Sequence, residues 1–390
     1  MRVMIFAQKP QRRGAEVRAF ELVHGLRRLG HKARTVYLYP YAGEKALPLA
    51  EEDRQLTGSE TALLERAPGI DPRLLRQVRA QIDEFKPDIV QVNGSRSVKY
   101  GTTARRLAGK HADWRLVYRN IGDPRMWNRR RLGVWLYRKL FMSHVDGVVG
   151  VSEMSLKNAI EMYGLDGPSV CLPGGIDTDR LNPIEPRDVV RTREGAEPGS
   201  CVAVYVGNLA PEKRPDRFLR VLAKARETQP NLMGWLVGDG VLRPELEQLA
   251  DSLGIRAAVR FLGYKETVAD YLAAADLFAL TSDTEGTPAV VLEAGYLGLP
   301  TVATSVGGVP EAVLHERTGL VHDRDDEDAL AAALARLAGS SDERQAMGQA
   351  AREWVEGRFT LETVAEKYVA FYERVLRESR PNVATAPTID

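Results

Sequence analysis

The sequence predicts an α/β protein made of two Rossmann-like, doubly wound parallel-sheet domains facing each other across a cleft. Three observations carry this expectation. Apolar, β-branched runs alternate with amphipathic helical patterns along the whole chain, the order produced by parallel sheets covered with helices. At 390 residues the chain is long for a single core, so two domains are expected. The strand-like runs also fall into two sets of similar size, a structural duplication without evident sequence repetition.

In the first half the strands read RVMIFAQ, KARTVYLY, DIVQVNG, WRLVYRN, GVVGVS and VCLPGG, with helices beginning near Gly14, Pro72, Val98, Leu132 and Glu153. These place an N-terminal domain over residues 1–177. The proline- and charge-rich run 178–199 lacks periodicity and is expected to be a linker. A second domain over 200–360 has strands at CVAVYVGN, MGWLVGDG, VRFLGY, LFALTS, PTVATS and GLVHD, followed by helical patterns from about Asp326 and Asp342. The final pattern, 361–380, has a strong apolar face suited to packing back on the first domain. The tail 381–390 is expected to fray.

Composition is that of a soluble globular protein, 44% hydrophobic and 27% charged. The opening MRVMIFAQ is too short for a signal-peptide core and is followed by a polar run, which predicts a cytoplasmic protein. No stretch approaches the roughly 20 apolar residues of a spanning helix; YLAAADLFAL is short and contains Asp276. Cys171 and Cys201 sit in strand-like apolar runs, as reduced core thiols do. The net charge of +1 conceals an asymmetry: residues 1–177 carry 30 Lys and Arg against 19 Asp and Glu, net +11, and the remainder 24 against 34, net −10. The basic half suits an anionic partner: a lipid surface, a phosphorylated acceptor or donor phosphates. Nucleic acid is not expected, because zinc-finger spacing, RNP-like motifs and aromatic-interleaved basic strands are missing.

The sequence has no GxxxxGKS/T loop, GxSxG elbow, HExxH motif or metal-like histidine spacing. HDRDDEDAL has Asp-x-Asp spacing, yet directly precedes a helix, where acidic residues are favoured for structural reasons; no metal is expected. What remains is a set of strand-to-helix turns at the carboxyl ends of parallel strands, where open α/β sheets bind ligands. The first, KPQRRGAEVRAFELV, places Arg13 and Gly14 at a helix start, which serves either a phosphate or a plain helix entry. GNLAPEKRPDRFLRVL places Lys213 and Arg214 just before Pro215, a natural first helical residue, so two cations flank a helix N-terminus. SDTEGTPAVVLEAG opens another helix at Pro288, whose first N–H groups, those of Ala289 and Val290, point toward the same anion. Glu285 precedes that helix and Glu293 lies in its second turn, so the two carboxylates can bracket an extended ligand.

These residues resemble the retaining glycosyltransferases of family 4, which have the GT-B fold. The resemblance spans nearly the whole chain. Its most specific element is Glu285, seven residues and Glu293, in EGTPAVVLEAG, followed by GLPTVATSVGGVPEAV and TGLV. VGNLAPEKRPD, WLVGDG, VRFLGY, VSEMSLKNAI and LPGGIDTDRL support it. It implies a nucleotide-diphosphate sugar donor bound by the second domain and an unidentified acceptor bound by the first, without metal or other cofactor. By that analogy Lys213 neutralises the diphosphate, helped by the backbone of Gly286, Thr287, Pro288, Ala289 and Val290. Glu293 binds the ribose and Glu285 the sugar hydroxyls. Asn208, Arg214, Gly238 and Gly14 border the phosphates, and Phe261 and Tyr264 the base.

Three departures accompany the resemblance. Asn208 stands where the family often has arginine, the familiar Gly-Gly of the first turn is Arg13-Gly14, and the histidine after the fourth first-domain strand is missing from VYRNIGDPRMW. Arg119, Asn120 and Asp123 occupy that neighbourhood and are assigned to the acceptor side. These departures keep open a catalytically degenerate partner subunit of another transferase; a nucleotide-sugar epimerase or a phosphorylase are rivals on the same fold. Finally, 126–143 combines Trp127, Trp135, Leu136, Leu140 and Phe141 with Arg129, Arg130, Arg131, Arg138 and Lys139. That composition fits either a helix lying on an anionic membrane or a core helix with a charged outer face.

Overall fold

The computed structural model describes residues 1–12, 14–43, 46–59, 69–109, 112–122 and 131–378, with the side chains of 131 and 132 excepted. Two compact units result: Met1–Gly175 with the segment from Leu361 onward, and Ile176–Thr360.

The first unit holds β1 (Arg2–Ala7), α1 (Gly14–Arg28), β2 (Lys32–Tyr37), β3 (Arg54–Gln55), α2 (Pro72–Phe85), β4 (Ile89–Asn93), α3 (Gly94–Ala108), β5 (Arg115–Asn120), α4 (Arg131–Leu140), β6 (Gly147–Gly150), α5 (Glu153–Tyr163) and β7 (Ser169–Cys171). Its strands form one parallel sheet in the order β3-β2-β1-β4-β5-β6-β7. Side chains alternate across the sheet. Val3, Ile5 and Ala7 join one apolar cluster while Met4 and Phe6 join the other. Burial on both faces explains why β1 reads as an unbroken apolar run. β3 has two polar residues and no apolar pattern, so the sequence did not announce it.

The second unit holds α6 (Arg187–Arg193), β8 (Cys201–Val206), α7 (Pro215–Arg226), β9 (Leu232–Val237), α8 (Arg243–Ser252), β10 (Val259–Gly263), α9 (Val268–Ala274), β11 (Leu277–Leu280), α10 (Ala289–Tyr296), β12 (Thr301–Thr304), α11 (Val309–Ala312), β13 (Gly319–His322), α12 (Glu327–Gly339) and α13 (Ser341–Glu356). Its parallel sheet runs β10-β9-β8-β11-β12-β13. The thiol of Cys201, at the start of β8, is pushed up to about 12 by burial and by the nearby Asp276 carboxylate.

The run 178–199, read from sequence as a linker, is held against this sheet. Asp270 Oδ1 accepts from the N–H groups of Ile184 and Glu185. Asp276 pairs with Arg187 at 2.6 Å and Arg191 at 3.0 Å. Its charges are clamps on the second unit, and α6 packs on α9.

The last helix, α14 (Leu361–Arg377), covers the first sheet beside α1. A Cβ on Gly25 would lie 2.9 Å from Ala365 Cβ and 3.1 Å from Leu361 Cγ, so glycine permits the close approach of the two helices. Local signals fix the helix ends. Asp71 caps α2 ahead of Pro72, and Ser152 with Ser155 forms a capping box on α5.

Candidate functional site

In the second sheet the chain turns outward on either side of the β8/β11 boundary, so the carboxyl ends of these two strands flank its switch point. Lys213 ends the short 3-10 turn that follows β8, and Glu285 lies in the loop after β11. The structure brings them together. Lys213 Nζ lies 2.7 Å from Glu285 Oε1 and 2.8 Å from Oε2. Ser282 Oγ donates to the same Oε1 at 2.6 Å, the length of a charge-assisted bond. The Glu285 side chain is 8% exposed and the Lys213 side chain 31%, so the lysine is the more solvent-exposed member of the pair.

The two loops are tied to one another. Asp283 N donates to Glu212 O at 2.9 Å and Thr281 Oγ1 to Arg214 O at 2.9 Å. The buried Arg217 donates to Thr281 O and Asp283. Arg214 takes the left-handed backbone at φ 48° and bonds Asp216 and Asp283. Those bonds, to Asp216 first, hold its guanidinium above its ordinary range. Arg214 is thus engaged in fixing the turn that presents Lys213.

Close backbone packing surrounds the pair. Gly238, at φ 137°, would drive a Cβ to 1.9 Å from Gly207 O, and Gly307, at φ 53°, to 1.8 Å from Glu285 O. Gly308 N donates to Gly286 O at 2.9 Å. The loop after β12 therefore presses on the backbone that carries Glu285 and Gly286. Ser282 and Gly307 were not singled out from sequence. The serine three residues before Glu285 was the available signal, and the glycine pair in SVGGV was the other.

Pro288 is the N-cap of α10 rather than its first residue, and helix geometry leaves the N–H groups of Ala289 and Val290 without intrahelical acceptors. Thr287 lies in the half-buried approach to this cap, and Glu293 is half-buried one turn into the helix. Asn208 is exposed over Gly240, and Phe261 is partly buried in the core beneath β10. Tyr264 is 72% exposed. The acidic run 323–328 lines an open cavity of about 770 Å³ with Arg214, Arg217 and Arg324. Its carboxylates are engaged: Asp326 caps α12 by accepting from Ala329 N, Glu327 pairs with Arg220 at 2.6 Å, and Asp328 pairs with Lys224.

In the first unit, Gly14 is the exposed first residue of α1. Arg13 and Asp123 lie outside the described residues. Arg119 and Asn120, grouped from sequence, stand on opposite faces of β5 because successive strand side chains alternate. Asn120 faces α5, donating to Ser155 O and Gly122 O at 2.8 Å and accepting from Tyr118 Oη at 3.0 Å. Arg119 faces α14, and its Nε donates to Tyr368 Oη at 2.9 Å. Both residues are 3% exposed.

Within the expected membrane segment 126–143, residues 126–130 lie outside the described residues. The rest is α4 and the turn after it. Tyr137 and Phe141 pack edge to face with ring centres 5.2 Å apart, while Trp135 is 50% exposed, with Lys139 over its ring, and Leu136 and Leu140 are also exposed. The outer face of α4 is thus both apolar and basic. Among the described residues, no helix is long and apolar enough to cross a membrane.

Comparison with known proteins bears on this arrangement. The family description "Glycosyl transferases group 1" matches residues 187–354, and "Glycosyltransferase Family 4" matches residues 12–180. A GDP-mannose-dependent alpha-(1-6)-phosphatidylinositol monomannoside mannosyltransferase of Mycobacterium tuberculosis is 29% identical over 375 residues, 93% of this chain and 95% of its own. The protein of that description from Mycolicibacterium smegmatis is 32% identical over 264 residues, 65% of this chain and 68% of its own. Among solved structures, Anabaena HepE in complex with UDP superposes with a TM-score of 0.78 at 21% identity, over 96% of this chain and 100% of its own. That likeness is one of fold.

Proposed function

Since this chain belongs to glycosyltransferase family 4, we propose that it transfers a sugar from a nucleotide-diphosphate sugar, held by the second unit, to an acceptor held by the first. The reaction retains the anomeric configuration and uses no metal. The Lys213–Glu285 pair at the β8/β11 switch point is the observation that carries this reading. It supplies a cation and an anion where a diphosphate and a sugar would meet.

On donor binding, the Lys213 ammonium turns from Glu285 to the diphosphate, joined by the first N–H groups of α10. Released from the cation but still bonded to Ser282, the Glu285 carboxylate accepts from sugar hydroxyls. Glu293, one turn into α10, accepts from the ribose. As the bond from sugar C1 to the phosphate oxygen breaks, negative charge builds on the leaving diphosphate, and a preorganised cation there lowers the barrier. The acceptor oxygen bonds to C1 from the same face, and its proton passes to the departing diphosphate oxygen.

The relatives that match almost the full chain are named for GDP-mannose and a phosphatidylinositol glycolipid. We take GDP-mannose as the first donor to test and a lipid-linked acceptor as the first class. The apolar, basic face of α4 fits contact with an anionic membrane that would present such an acceptor. The test is nucleotide-diphosphate release by the purified chain from GDP-mannose, UDP-glucose and ADP-glucose, with and without phosphatidylinositol glycolipid and in EDTA. Release from one donor, stimulated by the lipid and unaffected by EDTA, is expected. Inactivity with every donor would favour a degenerate partner subunit. Activity lost in EDTA and restored by magnesium would overturn metal independence.

A further inference from the structure

The first sheet changes direction between β1 and β4, and the carboxyl ends of β4 and β5 lie beside that point. Asn93 is the last residue of β4, and Arg119 is its register partner on β5. Both face α14, and they are 4% and 3% exposed. A guanidinium stays protonated in any protein environment. Nevertheless, among the described residues the contact made by Arg119 is to a neutral phenol, Tyr368 Oη, and its Nη1 has no hydrogen-bond partner.

Asn93 ends a directed chain. Tyr372 Oη donates to Gln91 Oε1 at 2.7 Å, and Gln91 Nε2 donates to Asn93 Oδ1 at 3.0 Å. Both amide oxygens of this relay therefore accept a hydrogen bond. Among the described residues, the Asn93 Nδ2 donor remains buried without an acceptor. Two buried donors on register-paired residues, one of them part of a guanidinium, thus meet no acceptor among the described residues. Leaving such groups unsatisfied is costly, and an anion would satisfy both.

We propose that Asn93 and Arg119 form an oxyanion-binding site at the carboxyl ends of β4 and β5, and that it receives a phosphate or carboxylate group of the acceptor. The existence of the site rests on these two side chains alone. The identity of its ligand as the acceptor rests on the transferase reading. The sequence assigned the arginine to the acceptor side and an anionic partner to this half of the chain; the asparagine is added by the structure.

The site is tested without donor, by thermal unfolding of the full chain in inorganic phosphate or malonate against sodium chloride of equal ionic strength. A saturable rise of about 3 °C is expected with one or both anions. Arg119→Gln and Asn93→Leu should each abolish it, while Lys213→Gln, which alters the other anion site, should retain it. Whichever of phosphate and malonate acts at lower concentration identifies the oxyanion. Circular dichroism establishes that each variant folds, and if Arg119→Gln does not, Asn93→Leu decides the matter. A rise that survives in the folded Asn93 or Arg119 variants, or that disappears with Lys213→Gln, would overturn the site. A response that depends on Arg119 in a chain that releases no nucleotide from any donor would leave the site standing and remove the transferase reading. The converse pattern would remove the site alone.

Discussion

The two sheets handle charge at their switch points in opposite ways. Beside β8 and β11 a cation and an anion neutralise one another, with Ser282 holding one carboxylate oxygen. Beside β4 and β5 two donors find no acceptor among the described residues. A neutral pair is inexpensive to maintain without ligand, and exchange of partners gives a bound diphosphate its cation. Among the described residues the buried Arg119 guanidinium is bonded to a phenol and not to a carboxylate, so an anion bound there would stabilise it directly. On the proposed reading, the pair beside β8 and β11 is poised for exchange of partners and the donors beside β4 and β5 for addition of one.

The comparison breaks most decisively at Lys213. Lys213→Ala should lower kcat by about 100- to 1000-fold, as expected when one preorganised group facing a developing negative charge is removed. The loss should exceed any change in KM for the donor, because that charge appears in the transition state. Initial rates across donor concentration check this. A rate within tenfold of wild type would mean that the leaving group finds its cation elsewhere.

The exchange model also separates the two glutamates. Glu293→Gln should weaken binding of the free nucleotide diphosphate, since its ribose contact needs no sugar. Glu285→Gln should bind that nucleotide at least as tightly as wild type, because Lys213 no longer has a carboxylate to leave, while turnover falls by about tenfold or more. Ser282→Ala should share the loss of turnover and spare nucleotide affinity. Calorimetry with the free nucleotide, beside rates with the full donor, tests all three. Equal loss of nucleotide affinity in the Glu285 and Glu293 variants would show that the carboxylates act as one nucleotide-holding unit.

A smaller effect is expected at α4, on the basic side of the charge asymmetry. Binding to phosphatidylglycerol vesicles should fall with rising salt, as the screening length shortens. Trp135→Ser should weaken it roughly fivefold at low salt, since the half-exposed indole is the largest apolar group on that face. Cosedimentation measures both. Recovery independent of salt and of Trp135 would leave α4 as a helix with a merely charged outer face.

How much of this was legible follows from how each feature is encoded. Buried parallel strands write themselves as apolar runs, so the sheets and the first residues of α1, α2 and α7 could be read from Val3 to Ala7, Pro72 and Pro215. Lys213 and Glu285 were legible as candidates because both lie in turns at the carboxyl ends of parallel strands, where ligands gather. Their mutual pairing was not, because 72 residues separate them and nothing local encodes the distance. Strand alternation should have separated Arg119 from Asn120, had the faces of β5 been assigned. The prolines and charges in 178–199 suggested a linker, but Asp270 and Asp276 lie far along the chain and only folding brings them to Ile184, Arg187 and Arg191.

The smallest expected effect concerns the carboxylates of the second unit, several of which pair with its own arginines. Glu327 accepts from Arg220 Nε at 2.9 Å and Nη2 at 2.6 Å. That hydrogen bonding, foremost among its causes, holds the carboxyl below its ordinary 4.5. A carboxylate whose folded value is depressed stabilises the fold fully above its unfolded value, and the contribution is lost as pH falls through the folded one. The affected window therefore begins near 4.5 and extends downward. With about a third of each side chain exposed, solvent screening limits the pair to about 0.5 kcal/mol. Glu327→Gln should then lower the unfolding midpoint slightly at pH 7 and leave it closer to wild type at pH 3. Chemical denaturation at the two pH values reads the difference. If the variant is as destabilised at pH 3 as at pH 7, the packing of α12 on α7, rather than the ion pair, holds this edge of the unit.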